Sequence, residues 1–448
     1  MYSNSEALNK VIGYIDEHKE EIIHFLSKMI SIPSVNEGTP ESGKELKIQN
    51  WIREQFEQFG FDKVDYWAVD KKGIRPNVVG VIQGRDGGKS LILQGHCDVV
   101  PVPKTELVQW KYDPWSGKIS EGRICGRGSS DTKGGNAAMF WAAKALIDCE
   151  MKLKGDLCVE SVVGEESSEG RSIGAAATVD RGYRAPFAIV SEPTNCEIHL
   201  ESPGIFFFEL IIRGKATHTA SRNMVIFPQR YGIPNGIEVG ADAIARMKLF
   251  LDLFERLEVQ WNQRWRGELL GAGGYPVPLD KQGIGLFTIN PSFIEGGSYL
   301  GAVPGYCKLT CCVWYPNWIK KEEVIAELDG HIKAIASTDE WMKDNPPEFN
   351  APIMQDWEPT KVSKDNEGVR VLVASFKQAT GKDAIQTGFR AVCDATFLGD
   401  KGIPAAVFGP GDLGMGVHGP NEYVPIDQVI DCTKVYAAMV MNWCGLAD

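Results

Sequence analysis

Five short apolar runs, separated by helical stretches, constrain this chain more than any other feature. Asn77–Ile82, Ser90–Leu93, Asp156–Val163, Pro186–Val190 and Pro404–Phe408 are rich in β-branched residues and show no polar alternation. A strand with one wet face alternates polar and apolar residues, whereas a strand buried on both faces does not, and such strands build parallel sheets covered by helices. Amphipathic stretches accompany these runs. Glu6–Ile30 sets Leu8, Val11, Ile12, Ile15, Ile22 and Phe25 at helical spacing until Ile32–Pro33–Ser34 breaks it. Ser42–Phe59 turns Leu46, Ile48, Ile52 and Phe56 inward, and Gly135–Cys149 reads as a further helix. The expected fold class is α/β, with a mainly parallel central sheet flanked by helices.

The middle of the chain follows another pattern. Ile205–Arg213 alternates roughly and stops at Gly214. A long helical stretch, Gly236–Trp265, precedes a Gly/Pro-rich loop at Gly271–Gly283. Then come a strand at Gly285–Asn290, a break at Gly296–Gly297, a strand at Lys308–Tyr315 and a helix at Lys320–Ala336. That order reads as a smaller α+β domain, residues 204–355, inserted into a first domain made of 1–203 and 356–448. A length of 448 residues exceeds one ordinary core, which agrees with two domains.

Composition removes several classes of function. Hydrophobic residues at 43% and charged residues at 24% are globular proportions. No stretch approaches the run of about 18 apolar residues that spans a membrane. The N-terminus, with Asp16, Glu17 and Glu20, lacks the basic start and apolar core of a secretion signal, so a cytoplasmic location with no membrane partner is expected. A net charge of −12 argues against nucleic acid, whose phosphates need a basic face. The eleven cysteines are odd in number and form no C-x-x-C pair, which points to reduced thiols.

The chemistry gathers where strands end. Leu91–Leu93 leads to His96 and Asp98, and Leu157–Val163 leads to Gly164–Glu165–Glu166. Ile189–Val190 leads to Ser191–Glu192–Pro193–Thr194, and Val407–Phe408 leads to a loop ending in Val417–His418–Gly419. A fifth segment, Gly126–Arg127–Gly128–Ser129–Ser130–Asp131, opens the helix that starts near Gly134. In open α/β sheets, ligands bind beyond the carboxyl ends of the strands. Zinc accepts imidazole nitrogen and carboxylate oxygen. Two metals about 3.5–4 Å apart need a bridging carboxylate and further ligands on each side. One carboxylate must stay free to move protons, and the Glu165–Glu166 pair can supply both kinds. Singly, each signal is weak. A His-x-Asp is ordinarily a hydrogen-bonded pair, a Glu-Glu a solvated face, and Gly126–Arg127–Gly128 lacks the Lys-Ser/Thr of a phosphate loop. Their joint placement is what points to a metal centre.

On these residues the chain resembles the zinc amidohydrolases and peptidases that include acetylornithine deacetylase, succinyl-diaminopimelate desuccinylase, aminoacylase and glutamate carboxypeptidase. The resemblance rests on Gly95–His96–Cys97–Asp98–Val99–Val100–Pro101, Trp110 through Pro114–Trp115, and Gly126 through Gly135. Gly164–Glu165–Glu166–Ser167–Ser168, Ser191–Glu192–Pro193–Thr194 and His418–Gly419–Pro420–Asn421–Glu422 complete it. It implies two divalent metals, zinc with cobalt or manganese as alternatives. Asp131 would bridge them, His96 and Glu192 would complete one site, and Glu166 and His418 the other. Asp98 would hold the far nitrogen of His96, and Glu165 would be the general base. The peptide bond after Asp131 is typically cis in the family. Gly214–Lys215–Ala216–Thr217–His218–Thr219 resembles the motif of the family's lid and dimerisation domain, whose histidine stabilises an oxyanion in the partner's site, so His218 and a homodimer are implied. Asn290 matches a supporting asparagine. His18, His24, His199 and His331 have no such context.

Three departures bear on substrate. Arg222–Gly236 and Arg266–Gly283 are longer than the family pattern. Many relatives carry an arginine on the strand matching Lys308–Tyr315, where this chain has Cys311–Cys312–Val313–Trp314; Arg222 or Arg390 could supply that charge. Glutamate at position 192 accompanies deacylases and carboxypeptidases in the family. The expected activity is hydrolysis of an N-acyl amino acid or related N-acyl amine, a small-molecule substrate. The alternatives are a metallo-carboxypeptidase or dipeptidase and, in another class, a metal-free ligand-binding relative.

Overall fold

The computed structural model describes residues 5–37, 42–85, 87–167, 169–222, 240–264, 287–354 and 356–447. It divides into two compact units, Met1–Glu201 with Thr360–Asp448, and Ser202–Pro359.

The larger unit is built on the buried runs. Among the described residues, a nine-stranded sheet runs Lys63–Ala68, Pro76–Ile82, Leu157–Val162, Leu91–His96, Ala188–Val190, Ala405–Val407, Ile198–Ser202 and Thr360–Lys361, with Gln386–Gly388 beside Ile198–Ser202. Its centre is the parallel set Leu157–Val162, Leu91–His96, Ala188–Val190 and Ala405–Val407, in register as Leu93 with Val159 and Ile189, and Ala406 with Ile189. Every residue of the first three is buried, so burial on both faces explains the missing polar alternation. The expected α/β class with a mainly parallel sheet is what forms. Helix Gly134–Asp148 buries nearly its whole surface and so reads as apolar all round rather than as a stripe. Helix Ile426–Cys444 packs against it and against Glu367–Thr380. The helix expected from Ser42 starts at Leu46 and stops at Phe59, where Gly60 takes the left-handed cap, φ 85°.

The smaller unit has a four-stranded antiparallel sheet ordered Thr288–Gly296, Tyr306–Tyr315, Gly204–Arg213, Glu348–Asn350. Alternate residues Phe206, Phe208, Leu210 and Ile212 meet Cys307, Leu309, Cys311, Val313 and Tyr315, and helix Ala243–Arg264 adds Met247, Phe250, Phe254 and Trp261. Cys311 is thus a core residue; Cys312 points to the opposite face. The helix expected from Gly236 is described from Ala243, and the strand expected at 285–290 runs Thr288–Gly296. Residues 223–239 and 265–286, which hold most of the two long insertions and the Gly271–Gly283 loop, lie outside the described residues.

Candidate metal centre

Each candidate side chain is aimed by the end of a regular element. Strand Leu91–His96 carries His96, 1% exposed, at its carboxyl end. Gly164, φ 82°, turns the chain out of strand Leu157–Val162 and presents Glu165 and Glu166. Ser191 and Glu192 follow Ala188–Val190 directly. His418 sits at φ 60° in the loop after Ala405–Val407. Asp131 lies in the tight turn Ser129–Lys133 that opens helix Gly134–Asp148, and its bond to Thr132 is cis.

These residues converge in two groups that share Asp131. In the first, His96 Nε2 lies 3.0 Å from Asp131 Oδ1 and 3.8 Å from Glu192 Oε1. In the second, His418 Nε2 lies 3.4 Å from Asp131 Oδ2 and 3.3 Å from Glu166 Oε2. Within each group the ligand-type atoms lie within 4.8 Å of one another. Asp131 therefore presents one oxygen to each group. Glu165 is buried beside them and belongs to neither.

The electrostatics show what this arrangement lacks. Burial pushes Glu192 and Glu165 well above the usual carboxylate range and Glu166 up as well, and neighbouring carboxylates add to the effect. Burial works against charge on His418, but Glu166 and Asp131 hold it up at about 11. Burial also raises Asp131, yet His418 and His96 pull it far below the usual range. Glu192 Oε1 is buried with no hydrogen-bond partner among the described residues. So many acids around two imidazoles, with an orphaned oxygen, form a donor set that fits divalent cations, which would neutralise the crowd and free the imidazoles as ligands.

The surrounding layer departs from expectation at Asp98. The nearer partner of His96 Nδ1 is the Asp98 carbonyl oxygen at 3.0 Å, with the carboxylate Oδ1 at 3.6 Å. The carboxylate instead accepts the Gly164 N–H at 3.1 Å, the Glu166 N–H at 3.1 Å and Asn36 Nδ2 at 3.0 Å. Asp98 thus meets His96 with its carbonyl oxygen and, at longer range, with its carboxylate, and fixes the Glu165–Glu166 turn through its side chain. Asn36 was not singled out in the sequence; it lies in a loop with no matching motif. Glu422 and Arg127 lie inside two of the segments that carry the resemblance, where residue type alone gives them no role. Their buried ion pair, Arg127 Nη1 to Glu422 Oε2 at 2.7 Å, ties the His418 loop to the Asp131 loop. Asp394 is 1% exposed with both oxygens unpartnered among the described residues, and burial pushes its carboxyl up to about 7.

The remaining candidates belong to neither ligand group. His218, in the smaller unit, is exposed on the two-residue strand Thr217–His218, and its Nδ1 accepts the Ala220 N–H at 3.1 Å. Asn290, in the same unit, is exposed and donates to Ser292 Oγ at 3.2 Å. The two arginines considered for a substrate carboxylate already hold acids: Arg222 Nη1 meets Asp242 Oδ2 at 2.6 Å, and Arg390 Nη2 meets both Asp412 oxygens at 3.2 and 3.1 Å.

The model of peptidase family M20/M25/M40 matches residues 92–442. An N-formyl-4-amino-5-aminomethyl-2-methylpyrimidine deformylase of Halalkalibacterium halodurans is 31% identical, over 98% of this chain and 98% of its own. The Bacillus subtilis protein of that description is 32% identical, over 96% of each chain. Among solved structures, a di-peptidase of Saccharomyces cerevisiae superposes with a TM-score of 0.71 at 16% identity, covering 98% of this chain and 99% of its own, a likeness of fold.

Proposed function

The chain belongs to peptidase family M20/M25/M40, and from that premise we propose that it is a two-metal deacylase that hydrolyses the amide bond of a small N-acyl amine or N-acyl amino acid. The observation that carries this reading is the pair of imidazole–carboxylate groups joined at Asp131, with the unligated Glu165 beside them. His96, Glu192 and Asp131 would hold one cation, and Asp131, Glu166 and His418 the other. Bound divalent metals, zinc in this reading with cobalt or manganese as alternatives, would polarise the scissile carbonyl and lower the pKa of water to about 7.

The protein's own groups do the rest. Glu165 takes the proton of the attacking water on its carboxylate and delivers it to the leaving nitrogen. A base raised by burial suits both halves of that transfer. Asp98 keeps Glu165 and Glu166 on opposite tasks by holding the backbone of their turn. Because His218 Nδ1 accepts the Ala220 N–H, Nε2 is the ring nitrogen left to donate, which suits an oxyanion. We assign it that role, from the same chain or a partner, with Asn290 in support.

The deformylase relatives favour an N-acyl amine, since the substrate in their description is a formylated aminomethyl pyrimidine. The engaged state of Arg222 and Arg390 supports an amine without a carboxylate grip. Homodimerisation through the smaller unit is supported by strand Thr288–Gly296, an edge of its sheet among the described residues, which exposes Phe293 at 70% and Ile294 at 56%. No helix among the described residues is long and apolar enough to cross a membrane, and a cytoplasmic location completes the reading.

The dipeptidase alternative is supported by the yeast fold. Metal-reconstituted enzyme assayed against N-formyl and N-acetyl amines, N-acetyl amino acids and dipeptides separates the two. A higher kcat/KM on the N-acyl compounds is expected; a higher value on dipeptides would replace this reading with the alternative.

A further inference from the structure

Two thiols from distant parts of the chain stand in contact. Cys196 Sγ and Cys432 Sγ are 3.4 Å apart, although 236 residues separate them in sequence. Cys196 lies in the turn that follows Ser191 and Glu192, and Cys432 lies on helix Ile426–Cys444. Asn195 and Cys196 have φ of 56° and 59°, a region that residues with side chains seldom enter, so the shape of this turn is imposed from outside. Two elements impose it. The Cys196 N–H donates to Gly409 O at 3.0 Å. Gln428 Nε2 donates to Asn195 Oδ1 at 2.8 Å, while Gln428 Oε1 accepts the Gly411 N–H at 2.8 Å. Cys432 is one helical turn beyond Gln428 and on the same face. The helix therefore already clasps the turn at one point and brings a sulfur up to it at the next.

The two thiols differ in access. Cys196 is half-buried, whereas Cys432 is fully buried. An accessible thiol beside a buried second thiol is the arrangement of an attacking and a resolving cysteine.

We propose that Cys196 and Cys432 form a reversible disulfide that locks the turn carrying Glu192 onto the C-terminal helix. The oxidant is a low-molecular-weight disulfide, R–S–S–R. Cys196, as thiolate, attacks one sulfur, forms Cys196–S–S–R and expels R–S⁻. Cys432, as thiolate, then attacks the Cys196 sulfur and expels the second R–S⁻. Two electrons pass from the protein thiols to R–S–S–R, and the two thiol protons end on two R–SH. A disulfide bond is about 2.05 Å long, so the sulfurs must close by roughly 1.4 Å. The half-buried turn yields more readily than the packed helix. Glu192 lies four residues before Cys196, so oxidation draws on the backbone that aims it. This last consequence rests on the metal-holding role proposed for Glu192; the cross-link itself does not.

The test uses the full-length, metal-loaded protein treated with excess oxidised glutathione, then alkylated, digested and mapped by mass spectrometry. A Cys196–Cys432 linked peptide that dithiothreitol removes is expected. Cys432→Ala should instead accumulate glutathione on Cys196, and Cys196→Ser should leave Cys432 unmodified. Absence of the linked peptide while half-buried Cys125 becomes modified would overturn the proposal, because the oxidant then reached the protein and the pair did not respond. Oxidised wild type should also retain metal several-fold less well on dialysis and recover with dithiothreitol, with neither variant responding. A linked peptide with unchanged metal retention would overturn the coupling to Glu192. Peptide map and metal retention both read out without turnover, so an inactive enzyme in the deacylase assay would count against the proposed reaction and not against this cross-link.

Discussion

The Glu422 carboxylate accepts the backbone N–H of Asp131 at 3.2 Å, so the residue that joins the two ligand groups is held from below by an acid on the His418 side of the site. The same carboxylate accepts the Ser130 and Gly128 N–H groups, each at 3.0 Å, and pairs with Arg127. One buried charge thus fixes three backbone donors of the Asp131 loop. Glu422→Gln keeps the size and removes the charge, which leaves Arg127 buried without its partner. A loss of roughly 3 kcal/mol in unfolding free energy is expected, with about 10–100-fold weaker metal binding. Urea unfolding and metal titration of the variant check both; wild-type values in both would show that the loop does not depend on this acid.

Glu165→Gln separates the base from the ligands. Glu165 belongs to neither metal-holding group, so metal content should stay at the wild-type level. Turnover should fall by about 10²–10⁴-fold, the usual worth of a positioned general base. Near-wild-type turnover with metal bound would remove Glu165 from the reaction.

Glu160 makes stability depend on pH. It sits within the buried strand Leu157–Val162, where Gln94 Nε2 and Thr178 Oγ1 both donate to its Oε2 at 2.8 Å while Oε1 has no partner among the described residues. Burial raises its carboxyl from 4.5 to about 7. The folded protein then holds a proton that the unfolded chain releases between those values. Its contribution is complete below about pH 4.5 and is lost as pH rises through about 7. The loss is on the order of 3 kcal/mol. Glu160→Gln, which cannot ionise, should remove this slope. Urea unfolding of both proteins at about pH 4 and pH 8, on either side of that window, measures it, and parallel behaviour of the two would refute the assignment.

Gly135→Ala tests close packing behind Glu192. A Cβ at Gly135 would stand 1.8 Å from Ser191 Oγ and 3.0 Å from Ser191 Cβ. Ser191 is fully buried and receives the Tyr436 hydroxyl at 3.1 Å, so it has little room to withdraw. A cost of about 1–3 kcal/mol is expected, read as a lower thermal midpoint. An unchanged midpoint would mean that the Ser191 turn gives way freely.

The sheet was legible because strands buried on both faces leave an unmistakable apolar run, as at Leu91–Leu93. Two kinds of strand were not: Lys63–Ala68 is half-buried along most of its length, and Ile198–Ser202, though wholly buried, carries the polar His199 and Glu201 inside and so leaves no apolar run. Two- and three-residue strands such as Thr360–Lys361 and Gln386–Gly388 are defined by their neighbours, not by any period. At the site, residues with ligand-type side chains could be named from strand ends. Their support could not. Glu422 reaches Asp131 across 291 residues, and Asn36 reaches Asp98 across 62. Nothing local marks either contact. The preference of His96 Nδ1 for the Asp98 carbonyl over its carboxylate depends on backbone geometry that residue types do not encode.

In the proposed centre two cations would share Asp131. Isothermal titration of metal-stripped protein with a divalent metal tests it most directly, with Asp131→Ala alongside. Two tight sites per chain are expected in the wild type, and loss of tight binding at both in the variant, because each group draws one oxygen from Asp131. A single site in the wild type, or two sites that survive Asp131→Ala, would contradict it.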